Sequence, residues 1–445
     1  MKKKTLSLLL AAGCAAGSAW GGDLLSAYRD AMAYDAQYAA AKASLDAGRE
    51  KAPQGLAGLL PTVSMSANTN WNDASVSRRT EPPGASLPYQ YNSNAWTVSL
   101  SQPLFRWQNW ETYNQSELLV AQAYAQFASA HQDLIVRVSQ SYFDVLLAFE
   151  AVATAQAQKA AIAEQLEAAK RNFEVGTATI TDTHEAQARY DLAVAAEIAA
   201  QSDLVVKQQV LRVVTGKEET ALKSLRTGVA IPAPQPGDMN AWVQSAETGN
   251  FNVQAGQAAF EIATREIGKQ RAGHYPTLDL VASRGHSSQT QSLAIGAVLP
   301  GSDTNTTTIG LQLAIPIYAG GGVASKEREA AALKEKASAD LDNARRIAAL
   351  QARQAYLGVT AGLSQVKAYE AALTSSQSAL DSNKLGYEVG VRINIDVLNA
   401  QGQLYDTRQK LAKARLDTLA AQLKLKAAIG MLGENDVAAI NALLE

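Results

Sequence analysis

The chain has 445 residues, 47% of them hydrophobic and 18% charged, with 40 basic against 42 acidic side chains. That apolar fraction supports a packed core and excludes a disordered chain, and the balance of charge excludes the basic stripe that a nucleic-acid partner requires. A single cysteine, Cys14, excludes a disulfide framework, so burial or assembly must hold the fold.

Residues 1–21 read as a secretory signal. Lys2 to Lys4 precede an apolar run, TLSLLLAAGCAAGSAW, which ends in small residues around Ala19 to Gly22. Cleavage is expected near Gly21, with Ala19 as the other candidate, leaving a mature chain of 37 basic and 42 acidic residues, a formal charge of −5. A lipid anchor on Cys14, behind Ala11, Ala12 and Gly13, is the alternative; the apolar run before it is short for that purpose. Beyond the signal no run of eighteen apolar residues occurs, so a membrane could be entered only by strands.

A helix is expected over 23–58, followed by strands at about 61–74 and 93–103. Val63, Met65, Ala67 and Trp71 alternate with Ser64, Ser66, Asn68 and Asn70; Trp96, Val98 and Leu100 alternate with Thr97, Ser99 and Ser101. Residues 107–172 then form a stretch rich in Ala, Gln, Glu, Lys and Leu. As one helix it would run for roughly 100 Å, and it needs lateral partners along its length. FEVGTATITD (173–182) turns the chain into a shorter helix over 183–215. The proline-bearing stretch 231–242 breaks any helix and forms a seam.

The sequence beyond the seam repeats the plan. A helix is expected at 240–272, strands at about 276–285 and 306–317, a long helix at 323–385, a turn at YEVGVRINID (387–396) and a helix at 396–429. Tyr142 answers Tyr356, Gly176 answers Gly390, Asp182 answers Asp396 and Gly216 answers Gly430, all at an offset of 214. The chain therefore reads as two repeats, 22–230 and 231–445. Leu278, Leu280 and Ala282, then Ile309, Leu311, Leu313 and Ile315, renew the alternation. Strands of about ten residues with one apolar and one polar face suit the wall of a transmembrane barrel. A soluble, half-buried sheet shows the same pattern and on periodicity alone is the commoner reading. Phe105, Trp107, Trp110 and Tyr318 at the strand-to-helix joints favour the barrel, as membrane-interface aromatics. So do the long polar loops expected between paired strands. Four strands cannot enclose a lumen, so closure implies an oligomer, most simply three chains with twelve strands.

Enzyme chemistry finds no foothold. His131, His184, His274 and His286 are scattered, and HEAQA at 184–188 lacks the second histidine of a zinc motif. The run Gly320–Gly322 lacks the later residues of a phosphate loop and reads as a flexible joint. No catalytic residue, metal or cofactor is expected.

The two turns, GHYPTLDLVAS at 273–283, IPIYAGGGVAS at 315–325 and the duplication together resemble the TolC-type outer-membrane factors of Gram-negative bacteria, across essentially the whole mature chain. The resemblance implies an α+β membrane protein. Its homotrimer has a twelve-stranded transmembrane β-barrel, four strands per chain, continued by a long periplasmic α-helical barrel. It implies as partners a periplasmic adaptor, an inner-membrane efflux pump or ABC exporter, and outer-membrane lipid. By position it implies a gate in which Tyr387 and Arg392 tie the inner hairpin to Thr181 and Asp182 of the outer one. Asp396 then lines the constriction, and Asn399 stands where close relatives carry a second aspartate. Val175, Gly176, Val389 and Gly390 would be adaptor-docking tips. Two readings of the residues themselves stay open. Arg392 and Asp396 could be an ordinary surface i,i+4 pair, and the whole chain could be a trimeric coiled-coil surface protein without channel activity.

Overall fold

The computed structural model describes residues 22–76, 87–218, 221–226, 228–294 and 297–445. The expected signal with Cys14, and the stretch 77–86 of the first expected loop, lie outside the described residues. Two compact units divide the chain. One comprises Ala40–Ala130 and Gln244–Leu350; the other comprises the segment ending at Ala39, His131–Val243 and Gln351–Glu445. Each unit draws on both repeats.

The first unit holds a four-stranded antiparallel sheet of β1 (Thr62–Val76), β2 (Leu87–Phe105), β3 (Thr277–Ala294) and β4 (Ala297–Ala314), in the order β1-β2-β3-β4. The strands are longer than the alternation predicts, at 15, 19, 18 and 18 residues. Stretches 87–92, 287–294 and 297–305, expected as loop, continue the ladders, with Asp73 opposite Gln90 and Ser288 opposite Asp303. Polar residues interrupt the apolar pattern there, which erases the sequence alternation while the backbone bonds persist. On the strand halves nearer the helices, Val63, Met65, Ile309 and Leu311 stand exposed on one face, whereas the Ser64 and Ser99 hydroxyls meet at 2.8 Å on the other. An apolar face left open and a hydroxyl-lined face opposite it are the inverse of a soluble sheet with its apolar side packed. β1 and β4 each keep one edge without a partner strand among the described residues, which in a sheet this long invites another chain.

Strand passes to helix by two devices. After a bulge at Pro103, which has no N–H for the ladder, Arg106 makes a bidentate pair with the buried Asp279 of β3 at 2.8 and 2.6 Å. Helix α4 (Trp107–Glu174) begins at the next residue. After β4, Gly320 and Gly321 take φ of 62° and 78°, and α8 (Gly322–Glu388) follows, so the glycine run is the joint its composition suggests. Close helix packing uses small residues: a Cβ on Gly48 would lie 2.5 Å from that of Ala123.

The second unit is helical. The single helix expected at 23–58 is broken. Its first part, α1 (Leu24–Tyr34), stops at Asp35, whose extended backbone turns the chain and whose carboxylate caps the next helix by accepting from the Tyr38 N–H at 2.7 Å. Leu24, Tyr28 and Ala31 pack on Leu134, Val138 and Phe143 of α4, with Leu419 and Leu423 of α9 (Asn394–Ala428) and Ile440 of α10 (Glu434–Asn441). The sequence reading does not foresee α10. The repeated tyrosines do matching work: Tyr142 donates its hydroxyl to the carbonyls of Gly22 and Lys223, and Tyr356 donates to Gly237, each pinning non-helical chain to a long helix. Val366, Leu373, Leu380 and Tyr387 on α8, and Val397, Leu404 and Leu411 on α9, recur every seven residues and pack together as the seam of a coiled coil.

Candidate functional site

The two helical hairpins end in tips of the same construction. Gly176 and Gly390 have φ of 79° and 76°, a left-handed conformation that a side chain would strain. The Asn172 carbonyl accepts from the N–H groups of Thr177 and Ala178; 214 residues on, the Gly386 carbonyl accepts from Val391 and Arg392. Val175 and Val389, 73% and 65% exposed beside these glycines, are apolar groups presented outward at the reversal.

The tips differ in how their second helices start. Thr179 caps α5 (Ile180–Thr215) in a reciprocal box: its hydroxyl accepts from the Asp182 N–H, while Asp182 Oδ2 accepts from the Thr179 N–H at 2.9 Å and its hydroxyl at 2.8 Å. The matching cap of α9 is Ile393, which has no side-chain acceptor. Asp396 is thereby released from capping, and its carboxylate lies 3.6 Å from Arg392.

These placements alter the expected pairing within the chain. Arg392 turns to Asp396 of its own hairpin, because Asp182 is engaged by Thr179, and Thr181 stands exposed. The hairpins are joined instead by two other bonds. Asn172 Nδ2 donates to the Tyr387 hydroxyl at 3.2 Å, and Arg189 Nη2 donates to Asn399 Oδ1 at 2.9 Å. Beneath them Ile162, Leu166 and Ala169 of α4, Ala186 and Ala193 of α5, and Leu398 of α9 form a shared apolar cluster. Tyr387 and Asn399 are thus brought to the junction between hairpins. Asn172 and Arg189 were missed by the sequence reading. Asn172 lies just before the FEVG tip, where the repeat draws the eye; Arg189 lies a turn and more past it, with no local signal.

Phe105 closes β2, Trp107 and Trp110 lie in the first turn of α4, and Tyr318 follows β4, so all four occupy the helix-joined ends of the strands, partly or largely exposed. None of the helices among the described residues is long and apolar enough to cross a membrane. Val63, Met65, Ile309, Leu311 and Leu313 leave one face of the sheet apolar and exposed. An open-edged sheet with a bare apolar face, joined to paired helical hairpins, defines a channel-type outer-membrane protein.

Comparison with known proteins agrees. Residues 27–217 and 242–431 match the outer membrane efflux protein family. The outer membrane protein TolC of Vibrio cholerae is 32% identical over 442 residues, covering 99% of this chain and 98% of that one. The proteases secretion protein PrtF of Dickeya chrysanthemi is 30% identical over 444 residues, covering 98% and 94%. Among solved structures, the outer membrane protein VceC of Vibrio cholerae superposes with a TM-score of 0.77 at 16% identity, over 92% of this chain and 99% of that one. The CmeC outer membrane channel of Campylobacter jejuni gives 0.77 at 15%, over 95% and 90%. The chain belongs to the outer membrane efflux protein family. It resides in the outer membrane with a periplasmic extension, and its fold is that of the trimeric channels, three copies of the four-stranded sheet making twelve strands.

Proposed function

We propose that this protein is the outer-membrane exit duct of an efflux or type I secretion system, a homotrimer with no chemistry of its own. A periplasmic adaptor and an inner-membrane pump or ABC exporter complete the path. The observation that carries the reading is the pairing of an open-edged, lipid-facing sheet with two helical hairpins whose tips are built alike. The valine-glycine tips at 175–176 and 389–390 offer paired apolar points to the adaptor's helices. Tyr387, Arg392, Asp396, Asn399, Thr181 and Asp182 make up the gate, with Asn172 and Arg189 as the links within each chain. Phe105, Trp107, Trp110 and Tyr318 sit at the periplasmic membrane interface. Relatives are named both for efflux and for protease secretion, which supports a duct whose cargo is chosen by its partners. The test is electrical: purified protein added to a planar bilayer is expected to give discrete, uniform conductance events. Intact trimers that insert and never conduct would replace this reading with that of a coiled-coil scaffold.

A further inference from the structure

Antiparallel partners share a face of the sheet, so its membrane side can be followed strand by strand from the helix-joined ends. On β3 that side reads Leu278, Leu280 and Ala282, then turns to Arg284 and His286; on β4 it reads Leu313, Leu311 and Ile309, then Thr307 and Asn305. On β2 it stays apolar further, through Val98 opposite Arg284 to Trp96 opposite His286, and on β1 it extends to Trp71. The boundary between apolar and polar thus lies at one level on β3 and β4 and reaches further toward the hairpin ends on β2 and β1. Strands tilted by about 40° in a barrel account for part of that offset, because a level plane advances along each neighbouring strand by about one residue. The exposed Trp71 and Trp96 then mark the outer membrane interface, as Trp107 and Trp110 mark the inner one.

Arg284 falls at this outer level. It is exposed on the lipid side, and among the described residues no ion pair or hydrogen bond engages its guanidinium. Asp303 faces the same way two rows nearer the hairpin ends, opposite Ser288, and makes no pair with it. His286, next along the same side, is oriented by Asn305, with Nδ1 and Oδ1 3.0 Å apart. A guanidinium is costly on a lipid-facing strand at mid-membrane and tolerated at the interface, where anionic headgroups offer acceptors. Its planar fork matches the oxygens of a phosphate, and the His286 ring lies one row away on the same face.

The geometry points to a binding site for a phosphorylated glycolipid of the outer leaflet. Arg284 holds a headgroup phosphate, His286 supports it, and Trp96 flanks the sugar and upper acyl region. The site lies on the lipid side of the sheet and tethers each protomer to the surrounding lipid.

The full-length trimer in detergent can be titrated with bisphosphorylated lipid A and with its dephosphorylated counterpart, bound copies being counted by native mass spectrometry. The wild type is expected to prefer the phosphorylated form, and Arg284→Gln to weaken its binding by about tenfold, the worth of one charge-assisted contact. Arg284→Lys should keep part of the affinity, and Arg353→Gln, an exposed arginine on α8, should leave it unchanged. Equal binding of the two lipids, or an Arg284→Gln trimer with wild-type affinity, would overturn the assignment. Millimolar inorganic phosphate is expected not to displace the lipid; displacement would mark a free-anion site and overturn the lipid identity.

Discussion

Asn399→Asp should strengthen block of the pore by multivalent cations, because it turns the Arg189–residue 399 pair from net positive to neutral. The Arg189 guanidinium donates to Asn399 Oδ1 at 2.9 Å, so a carboxylate there inherits a counter-ion at contact distance. A free carboxylate about 7 Å from a trivalent cation in the water-filled constriction attracts it by about 1.8 kcal/mol at a dielectric of about 80. Screening at 0.1 M salt leaves about half of that. Three such groups in the trimer amount to about 2.7 kcal/mol, or roughly a hundredfold in blocking constant. Arg189 is present before and after the substitution, so it lowers block equally in both proteins, and the single substitution is expected to strengthen block by up to about a hundredfold. Arg189→Gln alone removes one positive charge per chain and should strengthen block in the same direction, and the two substitutions together should exceed either alone. The assay is titration of a trivalent complex ion against single-channel current for the four proteins, repeated at low salt, where the differences should widen. An Asn399→Asp protein blocked no more strongly than the wild type would show that residue 399 does not face the constriction. Identical constants for all four would show that neither residue faces the constriction.

Tyr387→Phe with Arg392→Ser removes the hydroxyl that accepts from Asn172 and the cation beside Asp396, and is expected to enlarge the resting conductance. Intact trimers of this variant with unaltered conductance would refute the gate assignment. Acid should loosen the helical unit in two stages. Burial holds His131 below its ordinary 6.5, and the bidentate Arg137 guanidinium holds the Asp35 carboxyl below its ordinary 3.8. Both groups bind protons more readily in the unfolded chain, so each contribution is present above the unfolded value and is lost as pH falls through the folded one. His131 acts first, below pH 6.5, and Asp35 below pH 3.8. His131→Gln should flatten the upper stage in thermal melts against pH; an unchanged upper stage would place that loss in other groups.

Much of this protein is legible in its sequence because the relevant signals are local. The ranges of both long helices, the reversals at Gly176 and Gly390 and the apolar strand faces each follow from composition or periodicity within one segment. The sequence also carries the likeness between the tips, since a backbone turn that needs a left-handed residue needs it in both copies. Strand length escaped the reading: beyond Ser288 and Asn94 polar residues break the alternation, and backbone bonding continues without a sustained periodic trace. The break at Asp35 escaped it too, because an aspartate becomes a cap only when the chain turns there. At the gate the sequence supplied the charged residues but left their partners undecided. Arg392 could reach several acceptors of similar strength, and Thr179, a hydroxyl that Ile393 lacks, settled the matter by occupying Asp182. Arg189 and Asn399 lie 210 residues apart, and only the packing of α5 against α9 around Leu398 sets them within hydrogen-bonding reach. Local conformation is encoded segment by segment. The choice among near-equal polar partners is made by the three-dimensional positions that burial of the apolar seams imposes.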